Sequence, residues 1–241
     1  MKASGWEFRY RFWILLGLYV LGFAAPWDRW LHLDGAGPNT HVWARLATLL
    51  YKGGAGMTMG AAFNLVLAAG IALALAGAWL RTWGTAYLSA EVMSGEAMRG
   101  EGVVADGPYR YVRNPLYLGA WANLLALALL MPPSGAVFAL VTVVAFQVRL
   151  ILGEEAFLRE RLGEAYAAYC AKVRRLVPAL RPRVAASGAR ARWGEAALAE
   201  IFMWGVAASY AALGWQYNAR LLLQAVLVSL GVSLVARGMR G

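Results

Sequence analysis

The segment that organises this chain reads Asp106-Gly107-Pro108-Tyr109-Arg110-Tyr111-Val112-Arg113-Asn114-Pro115-Leu116-Tyr117-Leu118-Gly119. It is a polar, aromatic and basic loop that leads directly into an apolar run. Two prolines and two glycines restrict its backbone, and Pro115 can occupy the first turn of a helix, where its missing N–H is not needed. A polar loop at the edge of an apolar segment predicts a binding site at the end of that helix.

The composition is that of a polytopic membrane protein. Of the 241 residues, 61% are hydrophobic and 15% are charged, whereas a soluble domain carries roughly 25% charged residues. The net charge of +10 favours cytoplasmic loops that face anionic lipid over a nucleic-acid partner. A single cysteine, Cys170, excludes an internal disulfide. With only His32 and His41 besides, no metal site is predicted.

Six apolar runs predict an all-α fold, a polytopic transmembrane helix bundle of about six spans. One run exceeds the roughly 20 residues that cross a bilayer upright, and flanking Trp, Tyr and Arg can extend the others to the interface. The first run is interpreted as a retained anchor, because no clean small-residue cleavage site follows it. The runs cover residues 12–25, 56–80, 116–131, 137–152, 196–215 and 221–236.

The basic residues predict the orientation. With the N-terminus inside, residues 1–11, 81–115, 153–195 and 237–241 face the cytoplasm and carry 18 Lys and Arg, against 4 on the opposite side. Cytoplasmic loops of membrane proteins carry this excess, so both termini are expected in the cytoplasm. On the other side, residues 26–52 contain Trp27, Trp30 and Trp43. Within them, residues 41–51 could form an interfacial helix or an ordinary connector.

A second motif is expected beside the loop. A tight turn at Pro132-Pro133-Ser134-Gly135 makes the third and fourth apolar helices an antiparallel hairpin. The hairpin returns the chain to the membrane face of the loop, where Glu154-Glu155 follow the fourth run. An amphipathic helix broken near Gly163 comes next. Residues 181–195 are predicted to be a cytosolic linker, and the last two runs a second hairpin around Gln216-Tyr217-Asn218.

Paired carboxylates near the interface need partners or a cationic ligand, because burying an unpaired charge is costly. Arg110, Arg113 and Arg149 are the candidate partners of Glu154 and Glu155. Each element also suits a simpler role. The glutamates could be exposed ion pairs, an arginine could extend to the headgroups, and the tyrosines could form an interfacial aromatic belt.

The order and spacing of the motifs closely resemble those of the integral-membrane methyltransferases, which include isoprenylcysteine carboxyl methyltransferases and phospholipid N-methyltransferases. The pattern there is Gly-Pro-Tyr-Arg-x-x-Arg-His-Pro-x-Tyr-x-Gly, then Glu-Glu-x-x-Leu, then Phe-Gly-x-x-Tyr-x-x-Tyr. This chain has residues 107–119, then Glu154-Glu155-x-x-Leu158, then Leu162-Gly163-x-x-Tyr166-x-x-Tyr169. The resemblance covers roughly residues 75–180.

The resemblance implies S-adenosylmethionine as cofactor, held at the cytosolic face between the loop before helix three and the segment after helix four. A sulfonium cation and an amino-acid carboxylate need anionic and cationic partners, and adenine needs an apolar or aromatic slot. Glu155 and Arg113 are expected to be catalytic. The residues expected to bind the cofactor are Tyr109, Arg110, Asn114, Pro115, Tyr117, Gly119, Glu154, Glu155 and Tyr169.

One position departs from the family pattern. The family's His is Asn114 here, and Asn cannot take a proton near neutrality. Some phospholipid-methylating members also carry Asn-Pro at this point, so the change does not argue against activity. A protonated amine acceptor must first lose a proton, for which Glu155 is the candidate base. A carboxylate or thiolate acceptor would need none.

The sequence therefore predicts a membrane-embedded methyltransferase that acts on a lipophilic acceptor: a lipid amine, a prenylcysteine-like carboxylate or a hydrophobic thiol. An NADPH-dependent sterol-type reductase and a non-catalytic lipid-binding relative are the alternatives. The expected partners are the lipid substrate and membrane lipids, and the composition suggests a prokaryotic inner membrane. Four parts are expected: an anchor with an outer loop (1–55), a methyltransferase core (56–180), the linker (181–195) and a C-terminal hairpin (196–241).

Overall fold

The computed structural model describes residues 2–24, 41–53, 56–88 and 105–239, and within these ranges the regular structure is helical throughout. The predicted all-α class is confirmed. Two short 3-10 helices, Gly107–Arg110 and Gly214–Gln216, accompany the α-helices. The α-helices are α1 (Gly5–Arg9), α2 (Arg11–Ala24), α3 (Val42–Lys52), α4 (Met59–Tyr87), α5 (Pro115–Ala128), α6 (Pro133–Lys172), α7 (Trp193–Ala199), α8 (Ile201–Leu213) and α9 (Ala219–Gly238).

The apolar helices are of two lengths. Within the described ranges, Met59–Tyr87, Pro133–Lys172 and Ala219–Ala236 are long and apolar enough to cross a membrane, and α7 with α8 adds a fourth span if the bent pair crosses as one. The helices α2 and α5 are apolar but only 14 residues long. Each predicted run therefore falls on helix, while three or four of the six have the length of a membrane span.

Some predictions concern residues outside the described ranges. These are the end of the first run at residue 25, the outer segment up to residue 40 with Trp27, Trp30 and His32, and residues 89–104 of the second cytoplasmic segment. Residues 41–51 are described, and they are helical as α3 with His41 as N-cap. Trp43 of this helix is buried, and its indole N–H donates to the carbonyl of Phe63 at 3.1 Å.

The starts of the central helices follow from local sequence. The hydroxyl of Thr58 accepts a hydrogen bond from the N–H of Ala61 at 3.2 Å and caps α4. Proline begins both α5 and α6, where its missing N–H leaves no hydrogen bond unmade. The predicted turn at 132–135 is wrong by a few residues, because Pro133 starts α6 and the chain reverses over residues 129–132.

Helix α6 joins the fourth apolar run, which ends at residue 152, to the amphipathic helix predicted after it. It continues to Lys172, so Glu154 and Glu155 lie inside a helix. Strong helix formers follow residue 152 and no proline interrupts them, so the helix carries on past the apolar run. The predicted break is confirmed at Gly163, where φ is 53° and ψ is −128°. Glycine alone adopts this conformation readily, and the chain changes direction there.

Helix α4 lies at the centre of the bundle, where it packs against α5 and α8. Gly119 of α5 allows a close approach, because a Cβ atom there would lie 2.9 Å from the carbonyl oxygen of Gly77 on α4. Leu67, Leu124 and Tyr210 fill the core of this contact and are fully buried. The Tyr210 hydroxyl also donates to the carbonyl oxygen of Ala126 on α5.

The C-terminal part departs from the prediction at its start. The run 196–215 is bent by 70° between α7 and α8, and Glu200 stands at the bend with φ −102° and ψ 22°. Its buried carboxylate accepts hydrogen bonds from Arg81 and Thr85 on α4. The predicted hairpin between the last two runs is confirmed, with Tyr217 in the left-handed conformation (φ 51°) between α8 and α9.

Candidate active site

The two polar motifs meet in space, as the hairpin of α5 and α6 predicts. The side-chain amide of Asn114 donates to Glu155 Oε1 at 3.1 Å. One helical turn along α5, the hydroxyl of Tyr117 donates to Glu154 Oε1 at 2.8 Å. The loop before α5 and the paired acids of α6 therefore form one cluster at one end of the bundle.

Glu155 is the occupied member of the acidic pair. The guanidinium of Arg175 donates to both of its oxygens, from Nε at 3.0 Å and from Nη2 to Oε2 at 2.8 Å. Arg113 Nε lies 3.3 Å from Oε1, so the predicted partnership of Arg113 with the acids is confirmed. The Glu155 side chain is 5% exposed. With Asn114 added, two cations and an amide surround its carboxylate.

Glu154 is the available member of the pair. In the described part of the chain, its hydrogen-bond partner is the Tyr117 hydroxyl alone. The positive charge of Arg11 on α2 lies within electrostatic range. Adjacent residues on a helix point about 100° apart, so the two acids face different surroundings. The carboxylate of Glu154 can accept further hydrogen bonds or face a cationic ligand.

Tyr109 lies beside this cluster in the Gly107–Arg110 turn. Its ring is buried, and its hydroxyl finds no hydrogen-bond partner among the described residues. Burial raises the pKa of Tyr109, so the hydroxyl stays a donor at neutral pH. The carbonyl oxygen of Tyr109 accepts from the Tyr169 hydroxyl at 2.8 Å. A buried hydroxyl without a partner is costly, and a bound ligand would satisfy it.

Two of the predicted partners of the acids are wrong. Arg149 binds Glu7 of α1, with Nη2 at 2.8 Å from Oε1. Five residues separate Arg149 from Glu154 on α6, which turns their side chains about 140° apart. Arg110 instead donates from Nε to the carbonyl oxygen of Val184 at 3.0 Å. Both arginines connect the core to segments before and after it.

The segment that contains the predicted linker is hydrogen-bonded to the site loop. We call residues 173–192 the strap, because they run along the site loop and hydrogen-bond to it. The backbone N–H of Ala179 donates to the carbonyl oxygen of Tyr111 at 3.0 Å, and the backbone N–H of Arg183 donates to the carbonyl oxygen of Arg110 at 2.8 Å. Beyond the strap, α7 begins at Trp193. The residues predicted to be a cytosolic linker, 181–195, are therefore part of a segment that satisfies backbone acceptors of the site loop.

Asp106 anchors the far end of the strap. Its carboxylate accepts from the N–H of Ser187 at 2.9 Å, from the N–H of Ala189 at 3.1 Å and from the Ser187 hydroxyl. Burial acts to raise the pKa of Asp106, but these hydrogen bonds outweigh it and hold the pKa of this carboxyl below its usual range. The ionised form of Asp106 therefore stabilises the strap.

An aromatic cluster closes the side of the site after the Gly163 kink. Tyr166 and Tyr169 are buried with ring centroids 6.0 Å apart. Val173 packs with them, and Leu158 and Leu162 line the same cluster. The kink directs both tyrosines back toward the loop, where Tyr169 reaches the Tyr109 carbonyl. Such an apolar and aromatic surface suits a planar heterocycle.

Residues 65–165 match the family model described as phospholipid methyltransferase. The match covers 101 of the 241 residues. The family predicted from the motifs is thereby confirmed, and the segment contains α5, the site loop and both acids. No curated protein and no solved structure matches the chain significantly. With its long apolar helices, the chain is a membrane protein with a methyltransferase domain of the phospholipid type.

Several residues that contact the candidate site lie outside the matched segment, residues 65–165. Arg175 belongs to the strap, and Tyr166 and Tyr169 follow the segment's last residue. Glu200 comes from the C-terminal part, and both of its oxygens accept hydrogen bonds from Arg81 on α4. The sequence did not predict a role for Arg81, Asp106, Arg175 or Glu200, although Asp106 is the first residue of the site loop. Of these four residues, Glu200 alone could have been identified from the sequence, because an acidic residue within an apolar run indicates a functional or paired position.

Proposed function

We propose that this protein uses S-adenosylmethionine to methylate an amine headgroup of a membrane phospholipid at the cytoplasmic face. The observation that carries the proposal is the difference between the two acids: among the described residues, two arginines and Asn114 engage Glu155, whereas Glu154 has one hydrogen-bond partner, Tyr117. A site for a sulfonium donor and an ammonium acceptor needs an available anion. The match to the phospholipid methyltransferase family supports a phospholipid acceptor.

The residues around the loop fit the donor chemically. S-adenosylmethionine, when bound, supplies an electrophilic methyl group on a sulfonium centre. Tyr109, Asn114, Tyr117 and Glu154 would hold it, and the tyrosines after the kink offer an aromatic surface for its adenine. The unpartnered hydroxyl of Tyr109 supports this assignment. Arg110 and Gly119 were also predicted to bind the cofactor, but the strap and helix packing engage them, so we give them structural roles.

The acid–base roles change from the sequence prediction. A base must be able to approach the proton that it takes, and the oxygens of Glu155 already accept from Asn114 and Arg175. We therefore assign the proton acceptor to Glu154, which takes the proton that an ammonium headgroup loses before its nitrogen is methylated. Glu155 and Arg113 serve to position the loop. The remaining contribution of the chain is to align and desolvate the reacting groups.

The proposal is tested by cofactor binding to the purified full chain in detergent micelles. Glu154→Gln and Asn114→Ala should each weaken S-adenosylmethionine binding at least about tenfold, since each removes a polar contact in a buried site. Glu164→Gln is the matched control, because it makes the same change at an exposed position of α6. Binding that both variants retain would refute the site assignment. NADPH binding without S-adenosylmethionine binding would favour a reductase instead.

A further inference from the structure

The C-terminal part of the chain contributes a charged residue to the end of the bundle that holds the candidate site. Glu200, at the bend between α7 and α8, accepts from Arg81 Nε at 2.6 Å and from Arg81 Nη2 at 2.9 Å. The hydroxyl of Thr85 donates to the same carboxylate at 2.9 Å. The Glu200 side chain is 5% exposed, whereas that of Arg81 is 23% exposed. The pair is therefore buried on its acidic side and open on its basic side.

Arg81 lies beside the candidate active site, where its charge interacts with Tyr109 and Tyr117. A guanidinium carries five N–H donors, and Glu200 uses one on Nε and one on Nη2. Arg81 Nη1 lies 3.4 Å from the carbonyl oxygen of Leu116, the residue before Tyr117. The charges of Arg81 and Glu154 both act on Tyr109. Its unpartnered hydroxyl lies 3.5 Å from the Cβ position of Gly84, one turn along α4 from Arg81.

Arg81 and Glu154 also lie at the same depth. Arg81 comes 22 residues after the start of α4 and Glu154 comes 21 residues after the start of α6. At about 1.5 Å per residue, each lies roughly 32 Å from the opposite end of its helix, just beyond a hydrocarbon core of about 30 Å. This is the level of lipid headgroups. One cation and one anion therefore lie at headgroup depth near Tyr109, on which both charges act.

We propose that Arg81, held in place by Glu200, binds the phosphodiester of the acceptor lipid while Glu154 faces its amine. The site then recognises a zwitterionic headgroup by both of its charges. This inference rests on the proposed function, and it assigns residues that the sequence motifs do not include. Arginine recognises phosphate through parallel N–H donors, and the two N–H groups of Arg81 that Glu200 and the Leu116 carbonyl do not use supply them.

Glu200 acts through Arg81 and is a positioning residue. An unrestrained arginine at the interface would extend toward bulk water and headgroups in many rotamers. The two hydrogen bonds from Glu200 fix one of them, and Trp204 reinforces the helix contact by donating from its indole N–H to the Thr82 hydroxyl at 2.9 Å. The C-terminal hairpin thereby supports the acceptor side of a domain that it is not part of.

The test compares two acceptors that differ in the phosphate. Methyl transfer by the full chain in micelles is measured with a short-chain phosphatidylethanolamine and with a long-chain alkylamine that has no phosphate. The double variant Arg81→Gln with Glu200→Gln removes both charges together, so that no buried carboxylate is left unpaired. The control is Arg192→Gln with Glu195→Gln, which removes an exposed ion pair from α7 with 48% and 57% exposed side chains.

The expected result is a KM for phosphatidylethanolamine at least about tenfold higher in the double variant, because hydrogen bonds to a charged group are lost. The KM for the alkylamine and the affinity for S-adenosylmethionine should stay within twofold of wild type. Glu200→Gln alone should raise the KM for phosphatidylethanolamine by less than the double variant does and should leave kcat unchanged. With Glu200→Asp, which keeps the carboxylate, the KM should lie between those of wild type and Glu200→Gln. The control should match wild type throughout.

The inference is overturned if the double variant keeps the wild-type KM for phosphatidylethanolamine, or if both acceptors change equally. A wild-type protein that methylates neither acceptor would refute the proposed function instead. Binding of a fluorescent short-chain phosphatidylethanolamine, measured without donor, then decides the inference separately. Weaker binding by the double variant than by the control supports it, and equal binding overturns it.

Discussion

Neutralising Glu155 should destabilise the protein and weaken donor binding together. Glu155→Gln leaves Arg113 and Arg175 facing an uncharged amide where the carboxylate now lies within 3.3 Å and 2.8 Å of them. Removing one partner of a buried ion pair costs about 3–5 kcal/mol, but the Arg175 side chain is 42% exposed, so we expect about 2–3 kcal/mol here. The effect should exceed that of Glu154→Gln, because Glu154 has one neutral partner.

The measurement is thermal unfolding of purified protein in micelles, followed by S-adenosylmethionine titration. For a chain of this size, about 2–3 kcal/mol lowers Tm by roughly 4–10 °C. The exposed Glu164→Gln substitution on the same helix should leave Tm within about 1 °C of wild type. An unchanged Tm for Glu155→Gln, or a larger loss for Glu154→Gln, would show that Glu155 does not hold the loop to α6.

Three further changes test the supports of the site. Asp106→Asn should raise the rate of amide hydrogen exchange in the strap at pH 7, and equal exchange in the variant and in wild type would refute the anchoring role of Asp106. In wild type, the strap amides should stay protected above the ordinary carboxyl pKa of about 3.9. Their protection should be lost as the pH falls through the lowered pKa of Asp106. Gly163→Ala should lower Tm by straining a left-handed backbone, at about 1–3 kcal/mol, whereas Gly60→Ala, with open space at its Cβ, should not. Asn114→Asp should destabilise more than Asn114→Ala at pH 7, because a second carboxylate would face Glu155; equal Tm values would contradict the 3.1 Å contact.

The sequence predicted the parts of the site that local rules determine. A proline in the first turn of each helix and a short reversal between them make α5 and α6 neighbours, so the meeting of Asn114 and Tyr117 with the paired acids could be inferred. Gly163 was identified as a break because it interrupts an amphipathic helix. Each of these inferences uses residues close together in the chain, or two elements joined by one turn.

What escaped prediction depends on contacts between distant segments. Arg175 reaches Glu155 only because the kink at Gly163 turns the chain back. The angle of that turn cannot be predicted from the pattern of residues. The strap looked like a linker because its composition is Arg-, Ala-, Pro- and Gly-rich. Its order comes from backbone hydrogen bonds and from Asp106, 81 residues away from Ser187. Glu200 and Arg81 are separated by 119 residues.

The extent of α6 shows a different limit. The apolar run ends at residue 152, and the sequence predicted a separate amphipathic helix after it, whereas the two form one continuous helix up to Gly163. Hydrophobicity reports where a helix can lie in a membrane, whereas the helix itself continues until the backbone breaks it. Placing Glu154 and Glu155 inside the helix fixes their relative directions. Because the two side chains point in different directions, the carboxylate of Glu155 is engaged by arginines while that of Glu154 stays available to a ligand.

The most direct test of the proposed chemistry follows a labelled methyl group. The purified chain is incubated with phosphatidylethanolamine vesicles and S-adenosylmethionine carrying an isotope-labelled methyl, and label is counted in the lipid extract. We predict label on the headgroup nitrogen with wild type and with Glu164→Gln, and a loss of at least about a hundredfold with Glu154→Gln, as expected for a group that both binds and takes a proton. Label transfer by Glu154→Gln at the wild-type rate would contradict the assignment of Glu154 as the working carboxylate.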